Sequence, residues 1–306
     1  MKNSETDSKI DSKDDYLHQP GDTPEWRESY YFNWVDLEKK ISGFTTLGIL
    51  PNKNKRELVF ILFYQNKMEI YYREPDIVVK EEDFQNLMKD KKLTYELVKP
   101  LNKWNIQYNS RKMDVIINFK KRHPLHYFGK DSSASWHQHF EASGDINGEL
   151  KLKDGTSKKI EGYGQRDKSW GFRDWHLFDK WFAGHFQFEE WSVGFRKDYY
   201  NDRSQLSGYV TDGINTIPIK MMDIEVFYDK DKLKSPLETI YSFTDEKNQT
   251  YKIKAERITP NSYMRFMREF EEGFTELFEQ MSKMEDLNSG EIGSGLSEQL
   301  RTTHIK

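Results

Sequence analysis

From Trp26 onward, runs of five to nine residues rich in Val, Ile, Phe, Tyr and Trp recur at short intervals, divided by pairs such as Pro51-Asn52, Asn147-Gly148, Asp154-Gly155 and Asp212-Gly213. β-branched and aromatic runs punctuated by turn formers are the signature of short antiparallel strands. Asp145 to Lys153 alternates polar with apolar before Asp154-Gly155, and Lys158-Lys-Ile160 restarts after it, which predicts a hairpin. Trp181 to Phe188 predicts another strand, with Phe182, Gly184, Phe186 and Phe188 on one face and Trp181, Ala183, His185 and Gln187 on the other. Many short strands without a 20–50-residue repeat point to all-β barrels or sandwiches rather than to a propeller or solenoid. Helix signals are confined to one or two turns over Glu81–Lys89 and to an apolar stripe at Phe274, Leu277, Phe278, Met281 and Met284.

A chain of 306 residues exceeds what one hydrophobic core usually organises, so two domains are expected. Only 36% of residues are hydrophobic while 15% are aromatic, so burial must lean on large rings. Residues 1–24 are rich in Ser, Asp and Lys and nearly free of apolar side chains, which predicts a disordered tail. A net charge of −4 leaves no basic excess for nucleic acid. With no cysteine there are no disulfides, thiolate nucleophiles or Cys-type metal sites. The N-terminus has no secretory h-region, and the longest apolar run, Leu58–Tyr64, is far below a bilayer span; the expectation is a cytoplasmic protein without an integral membrane segment.

One stretch stands apart: Gly162-Tyr-Gly-Gln-Arg-Asp-Lys-Ser-Trp-Gly-Phe-Arg-Asp-Trp175. On a strand, Gln165, Asp167 and Ser169 point one way and Arg166, Lys168 and Trp170 the other. Gly162, Gly164 and Gly171 mark places where a backbone approaches closely or a strand bends. The motif opens a segment, 162–200, that holds four of the eight tryptophans, so an aromatic wall lies beside charge. Two readings follow. In one, Asp167 and Asp174 pair with Arg166 or Arg173 in a structural charge network that pins register. In the other, Asp167 sits in an apolar cavity where desolvation keeps it protonated as a general acid, with aromatic faces stabilising a developing cation.

His137, His139 and Glu141 share one strand face, a geometry conceivable for a metal but more often a polar pocket rim, and His185 is a further candidate for that rim. The histidines at 18, 123, 126 and 304 are read as tail or loop residues. No GxSxG elbow, phosphate-binding Lys loop or GxGxxG after a strand is present, so serine-hydrolase and nucleotide chemistry have no support.

The 162–175 motif resembles the G-x-G-x-R-D-H-S-W-G-x-R-D-W signature of proteins related to carotenoid 1,2-hydratase (hydroxyneurosporene synthase) and AttH. Similarity extends to Trp26–Phe32, Phe140–Gly148 and Gly290–Glu298, and so spans most of residues 25–302. The resemblance implies two lipocalin-like β domains. It makes 274–284 a strand that closes a final hairpin with Glu291–Arg301. It also aligns Asp167 with the acid that hydratase-like relatives use to protonate an isoprenoid double bond. Lys168 stands where the family usually has histidine, and the full hydratase motif is not present.

The expected organisation is therefore a tail over 1–24, a lipocalin-like domain over 25–140, and a second over 141–306 carrying the motif. The expected ligand is an isoprenoid or other lipophilic small molecule. Asp167 is the candidate acid; Tyr163, Trp170, Trp175, Trp181, His185, His139 and Glu141 are candidate substrate contacts; no metal or cofactor is expected. Carriage of the same ligand without catalysis, and a structural protein without a ligand, are the alternatives.

Overall fold

The computed structural model describes residues 10–76, 86–129, 138–172, 174–230 and 233–305. It is nearly all β, as expected, and divides into two compact units: residues 1–62 with 69–173, and residues 63–68 with 174–306. No helix among the described residues is long and apolar enough to cross a membrane.

The first unit is one curled antiparallel sheet. It uses β1 (Trp26–Asp36), β2 (Ile41–Leu50), β3 (Lys55–Tyr64), β4 (Lys67–Arg73), β5 (Leu87–Lys89), β6 (Leu93–Lys99), β7 (Lys103–Asn109), β8 (Met113–Lys121), β9 (His126–Gly129), β10 (Gln138–Leu152) and β11 (Ser157–Phe172). Their order is β4-β3-β2-β1-β11-β10-β8-β7-β6-β5, with β9 beside β10. The two ends of this order are joined by side chains: Arg73 and the Tyr71 hydroxyl donate to Asp90 at 2.5 and 2.6 Å, and Tyr108 and Lys112 donate to Glu69 at 2.9 Å each. The concave core is aromatic, with Tyr30, Phe32, Trp34, Phe60, Tyr95, Trp104 and Tyr108 buried.

The motif-bearing strand belongs to this first sheet, not to a second domain beginning at 141. β1 pairs with β2 on one side and needs a partner on the other; β11 supplies it over Trp26↔Phe172 to Val35↔Tyr163. Pairing across some 130 residues leaves no local trace in a sequence. A Cβ at Gly162 or Gly164 would fall 2.0 or 2.3 Å from the carbonyl oxygen of Val35 or Asn33, so these glycines do mark close backbone approach. Asn147-Gly148, expected at a turn, lies inside β10, whereas Asp154-Gly155 does turn the β10–β11 hairpin. Of the helix expected over 81–89, residues 81–85 lie outside the described residues and Leu87–Lys89 is strand.

From residue 10 onward the N-terminal segment is not the bare tail expected. Ser12–Asp15 forms a 3-10 turn capped by Asp11, and Asp15 is fully buried. What holds it is charge rather than apolar burial, which is why a hydropathy reading overlooked it.

The second unit is built from β12 (Lys180–Gln187), β13 (Ser192–Tyr200), β14 (Arg203–Thr211), β15 (Thr216–Tyr228), β16 (Pro236–Asp245), β17 (Thr250–Arg257), β18 (Tyr263–Phe270), β19 (Gly273–Asp286) and β20 (Ile292–His304). Successive pairings from β12 to β17, then β17–β19, β19–β20 and β20–β12, close an eight-stranded barrel, and β18 pairs with β19 alone. Its interior holds Phe182, Phe186, Phe188, Val193, Phe195, Tyr241, Phe243 and Ile253. β19 is the strand that the resemblance implied. Its helix-like stripe arises because residues 275–282 are buried on both faces, so polarity does not alternate.

Candidate functional site

Alternation along β11 gives the motif two faces. On the core face lie Arg166, Lys168 and Trp170, the first two with no exposed surface. Burying cations requires partners. Arg166 Nη2 donates to Asp15 Oδ1 at 2.5 Å, and its guanidinium lies over the rings of Phe140 (5.0 Å) and Trp104 (5.7 Å). Lys168 Nζ donates to Glu28 of β1 and sits 4.3 Å above the Tyr30 ring. Glu28 also accepts from the His18 backbone N–H at 2.9 Å, and the His18 ring stacks on Trp170 at 3.7 Å. Burial pushes the Glu28 carboxyl up, but Lys168 and His18 outweigh it and hold the group below the usual carboxylate range. Burial pulls the Lys168 ammonium down, and Glu28 only partly restores it. Lys168 is thus locked to Glu28 on the core side of the strand.

On the opposite face Asp167 belongs to a rank that crosses four strands. It stands opposite Tyr31 of β1 and Glu141 of β10, and Glu141 in turn stands opposite His126 of β9. The adjacent rank places Ser29, Ser169 and His139 together. His139 Nε2 lies 3.5 Å from Glu141 Oε1, and its ring stacks on Phe128 at 5.0 Å. On the other flank Asn33 and Gln165 exchange hydrogen bonds, the Asn33 amide donating at 2.9 Å and the Gln165 N–H at 3.1 Å. His126, His139 and Glu141 are buried and Asp167 is partly so. Two carboxylates side by side, flanked by a phenol and two imidazoles, form a group able to take and give protons. Among the described residues no three His, Asp or Glu side chains converge as a metal-holding group.

The expected site residues therefore separate. Asp167, Glu141 and His139 are brought together. Tyr163 is on the same face, two ranks away, under the Arg122 guanidinium at 4.2 Å. Trp170 points to the opposite face, because 167 and 170 differ by an odd number of residues on a strand, so it does not shield Asp167. Trp175, Trp181 and His185 belong to the second unit: Trp181 packs with Phe178, Leu277 and Leu300, Trp175 meets it edge-on at 5.7 Å, and Arg196 lies over Trp181 at 4.2 Å. His185 is wholly buried, and burial pushes its imidazole down to about 3. In the expected charge network, Arg166 pairs with Asp15 rather than with a motif aspartate, Asp174 accepts from the His176 backbone N–H at 3.1 Å, and Arg173 and His137 lie outside the described residues. Sequence reading missed Asp15, His18, Glu28 and His126. Only for Glu28 was there a cue, an acid within the resembling Trp26–Phe32 stretch.

A curled sheet and a closed eight-stranded barrel make up a fold that solved structures share. A crystal structure provisionally described as AttH from Nitrosomonas europaea superposes with a TM-score of 0.68 at 9% identity, covering 92% of this chain and 93% of that one. CghA in complex with Sch210972 gives 0.67 at 9% identity over 92% and 89%, and kievitone hydratase from Nectria haematococca gives 0.59 at 8% over 94% and 91%. No curated protein matches the sequence. The chain belongs to the family defined by the domain of unknown function DUF7064, whose model matches residues 11–303.

Proposed function

We propose that the protein binds a lipophilic small molecule, an isoprenoid or a compound of similar character, and transforms it by proton transfer that needs no cofactor. The observation that carries this is the cross-strand rank Tyr31–Asp167–Glu141–His126, in which two carboxylates face each other in register. Like charges directly opposite on adjacent strands repel, and a proton held between them relieves the repulsion. In this reading one carboxyl of the pair serves as acid and the other as base.

In the reaction, protonated Asp167 gives its proton to one carbon of an alkene, whose π electrons form the new C–H bond and leave a cation on the other carbon. Water adds there, forming the C–O bond, and loses a proton to the Glu141 carboxylate; proton exchange with Asp167 restores the pair. Alkene plus water gives alcohol; capture by an internal double bond in place of water forms a C–C bond and a cyclic cation, which loses a proton to the Glu141 carboxylate and becomes a cyclised alkene. Structural neighbours of the same fold support the class: one is kievitone hydratase, and CghA was crystallised with Sch210972.

The test is incubation with isoprenoid alkenes in D2O, with deuterium incorporation read by mass spectrometry. Asp167→Asn is expected to lower incorporation by about 10²-fold or more while leaving the melting curve in place. Binding of the alkenes with no deuterium uptake by wild type would make the protein a carrier. Uptake unchanged in Asp167→Asn would remove this acid from the reaction.

A further inference from the structure

We infer that Arg166 is the anchor for the acidic head of a lipophilic ligand inside the first unit, and that Asp15 occupies that anchor when no such ligand is bound. The inference is independent of proton transfer at Asp167, which lies on the other face of β11.

A guanidinium has five N–H donors. Arg166 is wholly buried, yet among the described residues only its Nη2 meets a carboxylate, and Nε and Nη1 have no hydrogen-bond partner. A buried donor without an acceptor is costly, and a charged one more so. A single monodentate aspartate is a poor match for a group that can grip a carboxylate with two parallel bonds. The aromatic rings of Phe140 and Trp104 face the guanidinium and would pack on a ligand's apolar body as they pack on the cation.

The two anions of this core differ in how they are held. Glu28 lies within β1, hydrogen-bonded to strands on both sides, and answers Lys168. Asp15 comes from a short 3-10 turn outside the sheet. It is held by Arg166, by the Leu101 backbone N–H donating to Oδ2, and by the Tyr30 hydroxyl donating at 3.1 Å to its carbonyl oxygen. One cation therefore has a fixed partner and the other an exchangeable one. An incoming carboxylate would preserve the charge balance, inherit the Leu101 N–H, and reach the donors that Asp15 leaves unused. The chemical class is an amphiphile with one carboxylate and an apolar chain or ring system.

Dodecanoate, with 1-dodecanol as its uncharged counterpart, tests the assignment in two readouts. In wild-type protein, dodecanoate should raise hydrogen exchange across residues 11–18 and at Leu101, because the segment is displaced, whereas dodecanol should not. By calorimetry, Asp15→Asn should bind dodecanoate about tenfold more tightly than wild type, since the competing internal anion is gone, with dodecanol affinity unchanged. Equal binding of acid and alcohol, or dodecanoate binding that leaves exchange at 11–18 untouched, would overturn the assignment. The exchange readout needs no variant and decides the matter if Asp15→Asn folds poorly. Loss of activity in Asp167→Asn bears on neither result.

Discussion

Glu28→Gln should destabilise the first unit by about 3–5 kcal/mol, a fall of roughly 10 °C in Tm, measured by chemical and thermal denaturation at pH 7. The reason is Lys168, whose ammonium has no exposed surface and whose anionic partner would vanish. It cannot swing to water, because it projects from the middle of β11 into the core, so it must either remain an unpaired buried cation or surrender its proton. The same substitution weakens the acceptor that holds the backbone N–H of His18, and with it the stack of His18 on Trp170. The double variant Glu28→Leu/Lys168→Met removes both charges and should recover most of the loss, since a buried ion pair contributes little net stability over a well-packed apolar pair. A single variant as stable as wild type would mean that Lys168 is already neutral in the folded protein.

Acid should erode the second unit well above the carboxylate range. His185 is held neutral with its folded value near 3, against about 6.5 in an unfolded chain. Between those values the unfolded state binds a proton that the folded state refuses, so stability falls as pH drops below about 6.5 and the loss saturates near 3. At pH 5 the cost relative to pH 7.5 is about 2 kcal/mol, and by pH 3 it reaches about 4 kcal/mol. Glu28 adds a separate loss, beginning only below about 4.3, because its folded value is depressed and its contribution disappears as it is protonated. Denaturation midpoints at pH 7.5, 6, 5 and 4 should show the slope in wild type and a flatter profile above pH 4.5 in His185→Leu. Identical slopes would show that folded His185 accepts a proton at pH 5.

The motif that stood out in the sequence, 162–175, proves to be two sites on one strand. Alternation alone separates Arg166, Lys168 and Trp170 from Gln165, Asp167 and Ser169, and the structure keeps that separation. Of the aromatics expected around Asp167, Trp170 lies on the opposite face of β11, whereas Trp175 and Trp181 belong to the second unit. Local composition can show that rings and acids are near in sequence, but period two distributes them to opposite sides of a sheet.

What the sequence determined by itself was whatever depends on near neighbours. Turn pairs and β-branched runs fixed the all-β class, and the alternation of Trp181–Phe188 fixed which face, Phe182, Phe186 and Phe188, fills the barrel. The absence of cysteine closed thiol chemistry. What only the tertiary structure decided was pairing at long separation: that β11 lies beside β1, so that Tyr31, Asp167, Glu141 and His126 form a rank, and that Asp15 and Glu28 answer Arg166 and Lys168 from some 140 residues away. Strand registry and buried ion pairing are set by the closure of a whole sheet around its core, and the polar N-terminal segment packs there because Asp15 neutralises the buried Arg166 cation.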